Sequence, residues 1–144
     1  MNAEQQKPTG LTKNTGWQVG LRRTIAYPHQ KVWELMTSSA GVSIWLGLGK
    51  PFKMEKGALY NLQDGTSGEV RVVKPPSHLR ITRYPQDPNY DRASTIQIRV
   101  IKKDTTSVLV FHEEHLPSQE ERQARKRFFL RAAEQILILL QRKH

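Results

Sequence analysis

Residues 107–142, SVLVFHEEHLPSQEERQARKRFFLRAAEQILILLQR, decide the fold, because an extended run passes directly into the longest helical pattern of the chain. Residues 107–116 predict a strand, and Pro117 ends it. Ser118 and Glu121 form the S-x-x-E capping box of a helix start, which predicts a helix over about residues 118–142. The helix has a broad apolar face, formed by Phe128, Phe129, Ala132, Ala133, Ile136, Leu137, Leu139 and Leu140. Such a face must pack on another layer, and a sheet is the only candidate.

The preceding sequence supplies that sheet. Residues 17–27 predict a first strand, and two short helical patterns follow in PHQKVWELMTS and SSAGVSIWLG. Residues 57–103 contain several extended runs, with Asp64-Gly65 as a hairpin turn. Because the connections are short, antiparallel pairing is favoured. The sequence therefore predicts an α+β arrangement: a curved antiparallel sheet of about six strands wraps on the long C-terminal helix, and two short helices follow the first strand.

Length and composition limit the class of protein. The 144 residues fit one domain, which we place at 17–144, and the polar residues 1–16 predict a disordered tail. The absence of cysteine excludes disulfides, thiolate nucleophiles and cysteine-based zinc sites. The sequence has no apolar run long enough to span a bilayer, and its first residues lack the apolar segment of a secretory signal. We therefore expect a cytoplasmic protein.

The chain is strongly basic, with 23 Lys and Arg against 13 Asp and Glu. These positive charges are scattered and no nucleic-acid-binding motif accompanies them, so nucleic-acid binding is not favoured. The densest run, at 122–131, includes Arg122, Arg125, Lys126 and Arg127. We interpret it as a solvated helix face, with contact to an acidic partner or to the anionic head of a ligand as the alternative.

The segment FHEEHL at 111–116 has the residue types of a metal or catalytic centre. On a strand, alternation places His112 and Glu114 on one face and Glu113 and His115 on the other. Because neither face holds both histidines, this stretch alone predicts no metal site. A His–Glu pair facing a cavity could act in acid–base chemistry, and a solvent-exposed strand end is the alternative. The sequence leaves open which face of residues 108–115 is concave.

Five stretches carry a family resemblance: IAYPHQKVW at 25–33, WLG at 45–47, GALYNLQDGTSGEVRVV at 57–73, PPSHL at 75–79 and HLP at 115–117. Over residues 17–141 their order and spacing resemble the helix-grip domains of the START-like (SRPBCC) superfamily. Within it, the chain is similar to bacterial homologues of the activator of the heat-shock chaperone ATPase. One departure is Arg83-Tyr84, at a strand position where this family often has tryptophan.

The resemblance implies an apolar cavity between the long helix and the sheet. The expected lining residues are Trp33, Trp45, Tyr60, Ile98, Phe111, Phe128, Phe129, Ala132 and Ile136. The possible polar cavity groups are His112, Glu113, His115 and Arg83. The same side chains would also fit an ordinary packed core.

Three functions remain open from the sequence. The leading hypothesis is binding of a hydrophobic small molecule or lipid, with no demonstrable catalysis and no cofactor or metal. The second is a chaperone-activator-like or stress-response protein-interaction module, and the third is a cyclase or hydrolase that uses His112, Glu113 or His115. A monomer or a homodimer would suit each of them.

Overall fold

The computed structural model describes residues 11–12 and 16–143. The strands are β1 (Leu11–Thr12), β2 (Gly16–Ile25), β3 (Leu59–Asn61), β4 (Ser67–Lys74), β5 (His78–Arg83), β6 (Ser94–Lys102) and β7 (Ser107–Leu116). The helices are α1 (His29–Thr37), α2 (Ser39–Trp45) and α3 (Gln119–Lys143). Most of the predicted tail, residues 1–10 and 13–15, lies outside the described residues.

The strands form one antiparallel sheet in the order β1-β2-β7-β6-β5-β4-β3. Helix α3 packs on β2 and β7, and α1 and α2 fill the space beside it. The predicted α+β helix-grip fold is therefore confirmed, with the two-residue β1 and the three-residue β3 at the sheet edges.

The two short helices meet at a tight junction. The Ser38 side chain accepts a hydrogen bond from the Gly41 amide at 3.1 Å, which caps the start of α2. A Cβ atom at Gly41 would overlap the carbonyl oxygen of Leu35, so only glycine fits. The Trp45 indole then donates to the carbonyl oxygen of Met36 at 2.8 Å, which fixes α2 against α1.

Strand alternation places the core on the concave face of the sheet. In β6, Ile96, Ile98 and Val100 point inward and are buried, whereas Arg99 is exposed. Ile98 pairs with Phe111 across the ladder, so the concave face of β7 carries Phe111. Within the described residues, no helix is long and apolar enough to cross a membrane.

Candidate functional site

A charged cluster lies inside the helix–sheet interface, centred on Glu113 of β7. The Glu113 side chain is fully buried. Its Oε1 accepts from Arg125 Nε of α3 at 2.6 Å, and its Oε2 accepts from Arg83 Nη1 of β5 at 2.8 Å. Ser94 of β6 also donates to Oε2, at 2.5 Å. Three strands and α3 thus converge on one carboxylate.

Arg125 is the unusual member of this cluster, because it is only 7% exposed and its bonding is incomplete. Its guanidinium lies over the rings of Phe128 and Phe129, 4.3 and 4.9 Å from their centroids. The buried Nη2 atom of Arg125 has no hydrogen-bond partner. A buried donor without a partner is costly in a low-dielectric interior, so this atom calls for an explanation such as a bound water, ion or ligand.

Tyr90 closes the cluster on the side of the loop that joins β5 to β6. Its hydroxyl accepts from Arg83 Nη1 at 3.2 Å and donates to Glu121 Oε2 at 2.6 Å. Glu121 is the capping-box residue predicted from the sequence, and its amide donates to Ser118 Oγ at 3.1 Å. The Tyr90–Glu121 bond therefore latches the loop of residues 84–93 to the first turn of α3.

The pKa shifts follow from burial and the paired charges. Burial alone would raise the pKa of Glu113, but Arg125, Arg83 and the Ser94 hydroxyl together hold it below its usual range. Burial lowers the pKa of Arg125, although Glu113 opposes this, and both guanidiniums remain cationic because of their very high intrinsic pKa. Burial raises the pKa of Tyr90 to about 12, so its hydroxyl stays protonated as a donor. Two cations therefore share one fully buried carboxylate.

The histidines of FHEEHL lie apart from Glu113. His112 faces the outer side of the sheet, where its Nε2 lies 2.9 Å from Gln18 Oε1. Burial lowers the pKa of His112. At His115 the strand has a bulge and a positive φ of 64°, and His115 Nε2 lies 3.9 Å from Glu114 Oε1. The predicted alternation thus holds through Glu114 and is interrupted at His115. No group of three or more potential metal ligands exists among the described residues.

Eight of the nine residues predicted to line a cavity form part of one buried apolar layer, the hydrophobic core. Trp33, Trp45, Tyr60, Ile98, Phe111, Phe129, Ala132 and Ile136 are buried, and Phe128 is partly buried. The rings of Phe111 and Phe129 stack with centroids 5.0 Å apart. The Tyr60 hydroxyl donates to the carbonyl oxygen of Thr82 at 2.6 Å, beside the charged cluster. Because the rings of Phe111 and Phe129 are in contact, a ligand placed between α3 and β7 would have to displace part of this layer.

Two surface clefts flank the Tyr90 latch. One, of about 590 Å³, lies along the loop and is lined by Gly65, Ser67, Tyr84, Pro85, Gln86, Asp87, Pro88 and Tyr90. The other, of about 400 Å³, lies at the start of α3 and includes Asn89 and Glu121. Tyr90 lines the first cleft and bonds Arg83 of the charged cluster, and its partner Glu121 lines the second cleft.

The outer face of the sheet has a different character, because it presents exposed arginines. Arg22 and Arg99 both pair with Val110 across the ladder, which places them on one face. Arg80 reaches Gln97 on the same face, with Nη2 3.3 Å from Oε1. His78, the cross-strand partner of Arg99, has a pKa lowered by partial burial and by the nearby Arg99, Lys74 and Arg80.

Sequence reasoning identified part of this site. It named Glu113 and Arg83 as possible polar cavity groups, and the structure places them in one ion pair. It assigned Arg125 to a solvated helix face, which is wrong, because Arg125 is buried. The available signal was its position one helical turn before Phe129, on the same apolar face. The contacts of Tyr90 with Glu121 join a loop to a helix and have no signal in the sequence.

Comparisons with known proteins concern the family and the fold of the chain. The sequence matches the family model described as activator of Hsp90 ATPase homolog 1-like protein over residues 26–140. Among curated proteins, none matches in sequence.

Several solved structures share the fold. Protein MLL2253 from Mesorhizobium loti superposes with a TM-score of 0.77 at 24% identity, covering 88% of this chain and 98% of that one. CalU16 from Micromonospora echinospora gives 0.73 at 16% identity, covering 85% of this chain and 73% of that one. An HSP90 activator from Plasmodium falciparum, PFC0360w, gives 0.69 at 16% identity, covering 85% of this chain and 95% of that one.

Proposed function

The chain belongs to the activator of Hsp90 ATPase homolog 1-like family, and on that premise we propose that it binds a hydrophobic small molecule or lipid between α3 and the concave face of the sheet. The observation that carries this proposal is the buried, unpartnered Arg125 Nη2, set beside the rings of Phe128 and Phe129 where the charged cluster meets the apolar core. Small-molecule sites are typically apolar with a few polar groups that orient the ligand. The cytoplasmic location expected from the sequence is part of this proposal.

The layer must open for a ligand to bind, and the loop of residues 84–93 is the element best suited to move. Tyr90 joins it to α3 through Glu121, and one cleft is lined by Tyr90 while the other is lined by Glu121. A ligand entering here would place its polar end near Arg125 and its apolar body along Phe111 and Phe129.

Binding of the neutral apolar dye Nile red tests the proposal, together with native mass spectrometry of the purified protein. We expect saturable dye fluorescence and a co-purifying apolar molecule. The variant Ala132→Leu adds volume to the buried face of α3, so it should weaken dye binding. The matched variant Ala124→Leu, on the same helix at a partly exposed position, should leave binding unchanged. No saturable dye binding and no co-purifying molecule would refute the proposal.

A second candidate function is a protein-interaction module that contacts an acidic surface on a heat-shock chaperone. The exposed guanidiniums of Arg22, Arg80 and Arg99 on the outer sheet face favour it, because a field of one sign steers a partner of the opposite sign. This face lies on the other side of the sheet from the proposed ligand site, so the two functions are compatible.

Stimulation of a purified heat-shock chaperone ATPase tests this second candidate. The double variant Arg80→Glu/Arg99→Glu should abolish stimulation. A charge-matched control, Lys126→Glu/Arg131→Glu, changes exposed positions of α3 and should retain it. Failure of the wild-type protein to bind or stimulate the chaperone would exclude the activator function.

A further inference from the structure

The charged cluster differs from an ordinary structural ion pair in its balance of charge. Arg83 and Arg125 both bond to Glu113, which is the only acidic side chain that either guanidinium contacts among the described residues. Glu121 is connected to the cluster through Tyr90, whose hydroxyl donates to Glu121 Oε2 and accepts from Arg83 Nη1. The buried core of the cluster therefore carries one excess positive charge.

The hydrogen-bond donor that lacks a partner belongs to Arg125, one of the two cations of the cluster. All polar atoms of the Glu113 carboxylate are bonded, to Arg125, Arg83 and Ser94. Arg125 uses Nε for Glu113 and leaves Nη2 buried without an acceptor. The missing partner is thus a hydrogen-bond acceptor, and the local charge favours an acceptor that is anionic.

The surroundings of Arg125 limit the size and charge of that acceptor. The guanidinium lies over Phe128 and Phe129, so apolar carbon borders the charged group directly. A doubly charged group would exceed the single positive charge available and would be poorly solvated among these rings. A monoanion joined to an apolar body matches both the charge and the lining.

We infer that the ligand is an amphiphilic monocarboxylate whose carboxylate accepts a hydrogen bond from Arg125 Nη2, beneath the Tyr90 latch. The inference rests on the proposed function and adds the chemical class of the ligand. Arg125 holds the carboxylate of the ligand, and Glu113, itself held by Arg83, fixes Arg125 in place. Tyr90 closes the site. No bond is made or broken in the ligand.

Titrations of wild-type protein with dodecanoate, dodecanol and acetate, followed by tryptophan fluorescence, test the ligand class. Dodecanoate should bind about tenfold or more tightly than dodecanol, since charge-assisted hydrogen bonds exceed neutral ones by about this much. Acetate, which has the anion without an apolar body, should bind far more weakly than dodecanoate. Equal affinity for dodecanoate and dodecanol would overturn the inference and leave the proposed function standing.

Variants then locate the carboxylate. Arg125→Met should reduce the dodecanoate affinity about tenfold without changing the dodecanol affinity, and Arg127→Met, at an exposed position two residues on, should change neither. An equal loss in both variants would overturn the assignment to Arg125. If Arg125→Met does not fold, the preference of wild-type protein for dodecanoate over dodecanol still decides the ligand class. Absence of binding by both dodecanoate and dodecanol would also overturn the inference. In that case the Nile red assay still tests the proposed function separately.

Discussion

The two halves of α3 are buried through different kinds of contact, one charged and the other apolar. Near its start, Arg125 enters an ion cluster with Glu113 and Arg83. Near its end, Ile136 and Leu140 are buried among apolar side chains. Both halves exclude water, but only the second half gains stability simply by doing so.

This difference suggests what each half contributes. Apolar burial is favourable wherever shapes fit, whereas transferring three charges from water into an interior costs free energy that their mutual attraction only partly offsets. A packed apolar cluster at Arg125, Glu113 and Arg83 would hold α3 on the sheet at least as well. The charged half therefore has a stability cost that a ligand-binding role would explain, and the apolar half is the structural anchor.

The largest effect we predict is the loss of Glu113. Glu113→Gln keeps the shape of the side chain but leaves Arg83 and Arg125 buried without a counter-charge, so we expect unfolding free energy to fall by about 3–5 kcal/mol. Urea denaturation measures the unfolding free energy of the variant and of the wild-type protein. Glu114→Gln, one residue along and on the partly exposed outer face, should change it by less than about 0.5 kcal/mol. Similar values for both variants would show that the cluster is not energetically distinct.

The next effect is a cavity in the apolar half. Ile136→Ala removes a fully buried side chain from α3, and we expect a loss of about 2–4 kcal/mol by urea denaturation. Ile138→Ala is the matched control, because Ile138 is 46% exposed on the same helix. Should the two variants lose equal stability, the apolar half would not be the anchor described above.

The sequence predicted the apolar half better than the charged half, for a physical reason. Helical periodicity identifies Phe129, Ile136 and Leu140 as one face, because hydrophobic burial depends on local pattern. Family resemblance from the sequence was likewise confirmed, since it rests on the order of many such elements.

The charged half depends on pairing between distant segments. Arg125 appears in a basic run, and its burial is acceptable only because Glu113, twelve residues earlier, faces it across the interface. Which face of β7 is concave had to be known first, and the apolar run of residues 108–111 does not decide it. The bulge at His115, with its positive φ, is a further local event that alternation could not predict.

The two halves of α3 should also contribute differently to the dependence of stability on pH. The pKa of Glu113 is held below the ordinary value of a glutamate, about 4.3, so the unfolded chain binds the proton first as pH falls. The stability that ionised Glu113 contributes is fully present above that value and is lost as pH falls through the lower, folded pKa. Urea denaturation at successive pH values below neutrality should therefore show a steeper loss in wild-type protein than in Glu113→Gln. Ile136→Ala should run parallel to wild type, and parallel curves for all three proteins would contradict the depressed pKa.

The smallest effect concerns the latch, and it tests whether the charged half can open while the apolar half stays packed. Tyr90→Phe removes the hydroxyl that bonds Glu121 and Arg83, so we expect a loss of about 1 kcal/mol. That loss should be local: the amides of Tyr90 and Asn89, which bond to Asp87 at 2.9 Å each, should exchange hydrogen faster, while amides in the second half of α3 keep their protection. Tyr84→Phe, on the same loop with an exposed ring, is the control and should leave exchange unchanged. Faster exchange throughout α3 would mean that the two halves open together, and a ligand could then reach Arg125 only by loosening the anchor as well.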